Sequence, residues 1–225
     1  MVKLTYYGHS CVLLDDGRHK VLTDPFLTGN PQAAVRAEDV ACDYILLSHA
    51  HGDHLGDAPE IAKRTGAAIV AIPEVLGACE QRAQGLQGVP MNLGGTVKLP
   101  FGKVRMVPAL HSSGVAGGIA CGFIIYIADK VVYFAGDTAL FPYMKLIAEQ
   151  DAPDYALLPI GDNYTMGPDD AARAAEWLQA RHVIPIHYNT WPVIAQDAAH
   201  FKAITEAATT AEVHILDPGT SCQLV

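Results

Sequence analysis

Cysteine pairs at metal-finger spacing are missing from this chain: Cys11, Cys42, Cys79, Cys121 and Cys222 are scattered, odd in number and form no CxxC or CxxH. That argues against a thiolate zinc site and leaves them as reduced, mostly packed thiols. Long apolar runs are missing too. None approaches the ~18 residues of a membrane span, and the N-terminus lacks the basic region and following apolar stretch of a signal peptide. No membrane partner and a cytoplasmic location are therefore expected. Positive charge is scarce, with 15 Lys and Arg against 24 Asp and Glu and a formal net charge of −9, which argues against a broad nucleic-acid footprint. With no internal repeat, charged tail or serine-rich linker, residues 1–225 read as one domain. Half of the residues are hydrophobic, enough for a sizeable core at this length.

What the chain does have is clustered histidine. His49-Ala50-His51-Gly52-Asp53-His54 puts four metal-capable side chains in six residues, directly after the apolar run Tyr44-Ile45-Leu46-Leu47-Ser48. Imidazole and carboxylate without a thiolate suit hard or borderline divalent ions. If His49 and His51 continue the extended backbone, their Cβ atoms fall on one side and both rings converge on one ion. Gly52 would then permit a tight turn that swings Asp53 and His54 toward a neighbouring position, so the segment reads as built for two ions. A single-metal site is one alternative. A histidine-rich surface loop is another, weakened because the segment is not low-complexity and follows a buried-type strand.

Further ligand candidates stand at the ends of later strand-like runs. His111 follows the run at 103–110, Asp137 follows 131–136, and His187 follows 183–186. A lone histidine is more often packed or solvated than ligating; three candidates in the same local context, downstream of HAHGDH, shift the balance toward metal.

This ordered set resembles the metallo-β-lactamase-fold hydrolases and matches their HxHxDH, His, Asp, His pattern in full. The resemblance implies an α/β fold, the four-layer αβ/βα sandwich. It also implies two divalent metal ions, zinc first, with manganese, iron or nickel as alternatives. By it, His49, His51 and His111 would hold one ion, Asp53, His54 and His187 the other, and Asp137 would bridge them. The nucleophile would be a water or hydroxide shared by the ions, with its pKa lowered to about 7 by analogy with zinc-bound water. Asp53 would also orient that nucleophile or handle its proton. Tyr7-Gly8-His9-Ser10-Cys11, Asp24-Pro25-Phe26, Asn30-Pro31, Tyr164-Thr165-Met166-Gly167-Pro168 and His187-Tyr188-Asn189-Thr190 are similar to the prokaryotic metal-dependent hydrolases grouped with ascorbate-phosphate lactonases. More distantly, the GHS and DP elements resemble those of N-acyl phosphatidylethanolamine phospholipase D.

The expected substrate is a small lactone or ester, phosphorylated or not, with a cyclic or linear phosphodiester as runner-up. An iron-dependent redox enzyme and a non-catalytic metal-dependent binding protein are the readings outside hydrolysis. His9 is a further active-site candidate, against the plainer reading that it closes a turn after the first strand. Asp24, against a simple Asp-Pro turn, is the carboxylate nominated to accept the outward N–H of a ligating histidine. Asn163, Tyr164, Thr165 and Asn189 are substrate-binding candidates by proximity in sequence. His19, His182, His200 and His214 read as structural or solvated. Trp191-Pro192-Val193-Ile194 lines the pocket mouth, packs in the core or serves a homo-oligomer interface. The glycines at 114, 117 and 118 make either a mobile loop over the site or a plain hairpin connection.

The coarse pattern predicts strands at 3–6, 11–14, 20–23, 44–47, 68–72, 104–107, 122–127, 131–134, 155–159, 183–186 and 213–216. Helices are predicted after Gly56 and Pro73 and at 143–149, 168–180 and 198–208. Pro168 suits a first helical turn, and Asp169 and Asp170 suit the positive helix start.

Overall fold

The computed structural model describes residues 1–225. Its strands form two seven-stranded sheets. The first contains β1 (Val2–Gly8), β2 (Cys11–Asp15), β3 (Lys20–Thr23), β4 (Tyr44–Leu46), β5 (Ala68–Ala71) and β6 (Gln87–Pro90). The second contains β7 (Thr96–Leu99), β8 (Gly102–Pro108), β9 (Cys121–Ile127), β10 (Lys130–Phe134), β11 (Tyr155–Pro159), β12 (His182–Ile186) and β13 (Glu212–Val213). β14 (Ser221–Leu224) returns to the first sheet and pairs antiparallel with β1. A single helical turn, α1 (Gly52–Leu55), follows β4. Helices α2 (Ala58–Thr65) and α3 (Pro73–Arg82) belong to the first half, and α4 (Tyr143–Asp151), α5 (Pro168–Leu178) and α6 (Ala198–Ala208) to the second. The result is the four-layer αβ/βα sandwich.

Period-two alternation explains how one strand serves two layers. On β11 and β12, Leu157, Ile184 and Ile186 join the core of 40 buried residues between the sheets, which also takes in Ile61 and Val75 from α2 and α3. Ala156, Leu158 and Val183 face the other way, into a second core with Met144, Ile147, Ala171, Ala175 and Phe201 from α4, α5 and α6. All five residues of β11 are buried, as expected of a strand covered on both faces.

Pairing directions decide where the strands end. β3, β4 and β5 are mutually parallel, and β1 runs the same way as β3 because each is antiparallel to β2. β10, β11 and β12 are parallel, and β8 matches β10 because each is antiparallel to β9. The C-terminal ends of β1, β3 and β4, and those of β8, β10 and β12, therefore gather at common edges of their sheets. Ligands bind beyond the carboxyl ends of strands in open α/β sheets.

Several sequence expectations shift. β4 ends at Leu46, so His49 and His51 lie beyond the strand. The turn after them is not made by glycine flexibility: Gly52 is the first residue of α1 and has no positive φ. The predicted strand at 213–216 is only Glu212–Val213, and the last pairing segment is Ser221–Leu224. Edge strands β6 and β7 lack the buried alternation that marks a strand, and most of their residues are exposed or half-buried. The helix predicted to 180 stops at Leu178 because Gln179 takes a left-handed conformation, φ 53°. No helix is long and apolar enough to cross a membrane.

Candidate active site

Each candidate ligand follows a strand directly or by a short loop, and the sandwich brings them into two adjoining groups. His49, His51 and His111 form one; Asp53, His54, His187 and also His9 form the other, with donor atoms in each group within 4.8 Å of one another. Asp137 lies between. Its Oδ1 is 3.2 Å from His54 Nε2, and its Oδ2 is 3.1 Å from His187 Nε2 and 3.5 Å from His111 Nε2.

The histidines are aimed by what stands behind them. Ser48 Oγ donates to Asp24 Oδ2 at 2.5 Å and so can accept from His49 Nδ1, 2.9 Å away, which leaves His49 Nε2 facing inward. His54 Nδ1 reaches the same Asp24 Oδ2 at 2.7 Å, and Ser48 N–H donates to Asp24 Oδ1 at 2.8 Å. One buried carboxylate thus orients a ring from each group, the arrangement by which metal-binding histidines have tautomer and direction fixed. His51 is turned the other way, with Nδ1 in the cluster, 2.9 Å from His49 Nε2, and Nε2 3.3 Å from Ser112 Oγ.

His9 is fully buried beside these groups. Its Nε2 is 3.2 Å from Asp53 Oδ2 and its Nδ1 2.8 Å from Thr190 Oγ1. His187 N–H donates to the His9 carbonyl at 2.8 Å, joining the end of β12 to the end of β1 across the sandwich. His9, Asp24 and His187 all have left-handed backbones, with φ of 57°, 32° and 53°. Such conformations cost about 1–3 kcal/mol each and concentrate at functional sites.

The charges are strongly coupled. Burial resists charging of His54, yet Asp137 and then Asp24 outweigh it and hold this ring well above the usual histidine range. His187 is likewise raised, to about 8, by Asp137 and Asp53 against the effect of burial. Burial also opposes ionisation of Asp137, but His54 and His187 keep it well below the ordinary carboxylate range. Asp53 is lowered too, against burial, by His187 and His9. Burial dominates the others: His9 falls to about 4, with Asp53 opposing the shift, and His49 lies well below normal.

Burial with missing partners tests whether metal fits. His54 Nε2, Asp137 Oδ1 and both ring nitrogens of His187 are buried and make no hydrogen bond. Buried polar atoms are costly to leave unpaired. Here His54 Nε2 and His187 Nε2 stand 3.2 and 3.1 Å from the Asp137 carboxylate without a formed hydrogen bond, as donor atoms do when they face a common point. Imidazole and carboxylate are the donor set that divalent zinc, iron or manganese accepts, so the residues present fit the group.

A cavity of about 360 Å³ opens over the cluster, lined by His51, Asp53, His111, Ser112, Asp137, Tyr164 and His187. Of the four substrate-binding candidates, only Tyr164 lines it. Asn163 is bonded through its own N–H to Asp162, Thr165 donates its hydroxyl to the Met166 carbonyl, and the Asn189 side chain accepts from Gln196 N–H. Asn163, Thr165 and Asn189 therefore stand beside the cavity in sequence without lining it. Ser48 and Ser112 were missed, having no motif beyond adjacency to a histidine. The glycine-containing loop packs against the cluster: the Ser113 carbonyl accepts from Ala50 N–H at 2.8 Å, and a Cβ on Gly114 would meet His51 at 2.7 Å.

The model of the beta-lactamase superfamily domain matches residues 19–188. A UPF0173 metal-dependent hydrolase of Natranaerobius thermophilus is 47% identical over 223 residues, covering 99% of this chain and all of the relative. One from Thermus thermophilus is 47% identical over 228 residues, with both chains covered in full. Among solved structures, Igni18, a metallo hydrolase from the archaeon Ignicoccus hospitalis, superposes with a TM-score of 0.91 at 41% identity, covering 98% of this chain and 97% of that one. A chain with this sandwich, these convergent donors and these relatives belongs to the beta-lactamase superfamily and is one of its metal-dependent hydrolases.

Proposed function

We propose that the site holds two divalent ions and hydrolyses a small neutral lactone or ester. The observation that carries the dinuclear reading is Asp137, whose two carboxylate oxygens reach His111 of one group and His54 and His187 of the other within 3.5 Å. His49, His51 and His111 would hold the first ion, and Asp53, His54 and His187 the second. When bound, such ions supply Lewis acidity toward a substrate oxygen and a water that is nucleophilic at neutral pH. Zinc suits the donor set best; manganese, iron and nickel remain within its chemistry.

The protein's own groups do the positioning. His9, held below the usual histidine range by burial, stands with Nε2 3.2 Å from Asp53 Oδ2 and Nδ1 2.8 Å from Thr190 Oγ1, whose hydroxyl donates to Gln32 Oε1, and so braces the Asp53 carboxylate at the cavity wall. Ser112 and Tyr164 are the hydroxyl-bearing residues of the cavity lining. None of its seven lining residues is Lys or Arg, so beyond the bound ions themselves no lysine or arginine is placed to hold a phosphate group remote from the reacting centre. That favours a carbonyl substrate without a phosphate group. A cavity of this size suits a small molecule.

The test is elemental analysis of gently purified protein with turnover on lactones, carboxylic esters and bis-(p-nitrophenyl) phosphate, before and after chelation and metal restoration. About two ions per chain and chelator-sensitive carbonyl-ester or lactone turnover are expected. His49→Ala and Asp137→Ala should each lose metal and turnover together while keeping the far-UV circular dichroism of the parent. Full turnover in both variants, or preference for the phosphodiester, would overturn the reading.

A further inference from the structure

We infer that His182, Glu212 and His214 form a separate binding site for a divalent transition-metal cation at the opposite end of β12 from the active site. His182 opens that strand and His187 follows its last residue. Five residue steps of extended chain set the two roughly 16 Å apart along the backbone.

The sheet register builds this cluster. His182 pairs directly with Glu212 on β13, so the two side chains share a face, and His214, two residues beyond Glu212, returns to that face. His214 N–H donates to the Val183 carbonyl at 2.9 Å, which holds the backbone beyond β13 in place. The His182 ring is in turn stacked on Tyr155, with centroids 4.4 Å apart and planes at 19°.

Three donor atoms meet there. His182 Nδ1 and His214 Nε2 are 3.0 Å apart, and Glu212 Oε2 is 3.7 Å and 3.8 Å from them. For bonds of 2.0–2.1 Å in a tetrahedral site, ligand atoms stand about 3.4 Å apart, and these three edges bracket that value. The active-site donors show the same spacing, 2.9 Å for His49–His51 and 3.3 Å for His51–His111. A plain hydrogen bond between two imidazoles would use both nitrogens and leave the carboxylate facing the pair without a role. Two neutral imidazoles and a carboxylate suit zinc, and burial, followed by His214, keeps His182 below the usual histidine range and so toward its ligating form. The side chains are 14%, 63% and 27% exposed, so a fourth position would be open to water. An ion here would pin β13, only two residues long, to the edge of its sheet.

The test is equilibrium dialysis of the metal-loaded protein against zinc, comparing the parent with His214→Ala and, as a milder change, Glu212→Gln. The parent should hold one zinc more per chain than His214→Ala, with hydrolysis unchanged in the variant, and added zinc should raise the thermal midpoint of the parent alone. Glu212→Gln should bind this ion at least tenfold more weakly while folding normally. Equal zinc content in parent and both variants would overturn the inference. Because the readout is a difference between proteins with the same active site, it does not depend on how many ions that site holds.

Discussion

Asp24 is the residue on which both donor groups depend, since it accepts from His54 directly and from His49 through Ser48. Asp24→Asn keeps the shape, and asparagine tolerates the left-handed backbone at φ 32°, so the fold should persist. Losing the acceptor charge should weaken metal binding by about 10–100-fold. A chelator competition would show it, and unchanged affinity would mean that the rings are held by packing alone. Gly136, just before Asp137, is the second sensitive residue. Its φ is 59°, and a Cβ would lie 2.8 Å from Ser48 Cβ and 3.0 Å from the Cys121 carbonyl. Gly136→Ala should cost about 1–3 kcal/mol of stability from strain and displace Asp137, so urea melts and metal content should fall together. The sequence disclosed the metal-capable residues, because HAHGDH is contiguous, but not Ser48 or Ser112, whose roles exist only through the rings they face.

At the scale of elements, α4 is held to the second sheet by a polar clasp at its C-terminal end. Tyr126 of β9 donates to Asp151 Oδ1, and Arg105 of β8 donates to Asp151 Oδ2. Burial, then Asp151, pushes the Tyr126 phenol up to about 12. A pKa raised on folding means that the contribution is complete below the unfolded value of about 10 and is lost as pH climbs from there through about 12. The stability difference between the parent and Tyr126→Phe should therefore be constant to pH 10 and shrink above it. A difference that does not change with pH would show that the phenol's proton is not shared with Asp151. Strands written as continuous apolar runs, such as β9 and β11, and a helix with one apolar face, α5, were legible in the sequence. β6, β7 and β14 were not, because edge strands with exposed residues are defined by their neighbours and not by their own pattern.

For the whole molecule, the candidate ligands come from both sheets: His49, Asp53 and His54 follow β4, while His111, Asp137 and His187 follow β8, β10 and β12. Bound ions would cross-link the two halves of the sandwich. A ligand at a hundred times its Kd stabilises the folded state by about 2.7 kcal/mol. For a chain of this length that corresponds to a thermal midpoint shift of roughly 5–10 °C. Chelation should lower the midpoint by that amount and metal restoration should recover it; an unchanged midpoint would show that the halves are held by the apolar core alone.

The sequence by itself determined which atoms could bind metal and which faces would be buried, since donor chemistry and period-two alternation are local properties of the chain. It also carried the family pattern, from HAHGDH to His187. Only the tertiary structure decided how these pieces meet. Pairing directions bring six strand ends, three from each sheet, to the site, place Asp137 within reach of both donor groups, and set His9 against Asp53 across 44 residues of sequence. The same register puts His182, Glu212 and His214 on one face, where the sequence alone shows three unrelated polar residues. Distances between remote segments depend on how whole sheets pack, and no local pattern of residues encodes them.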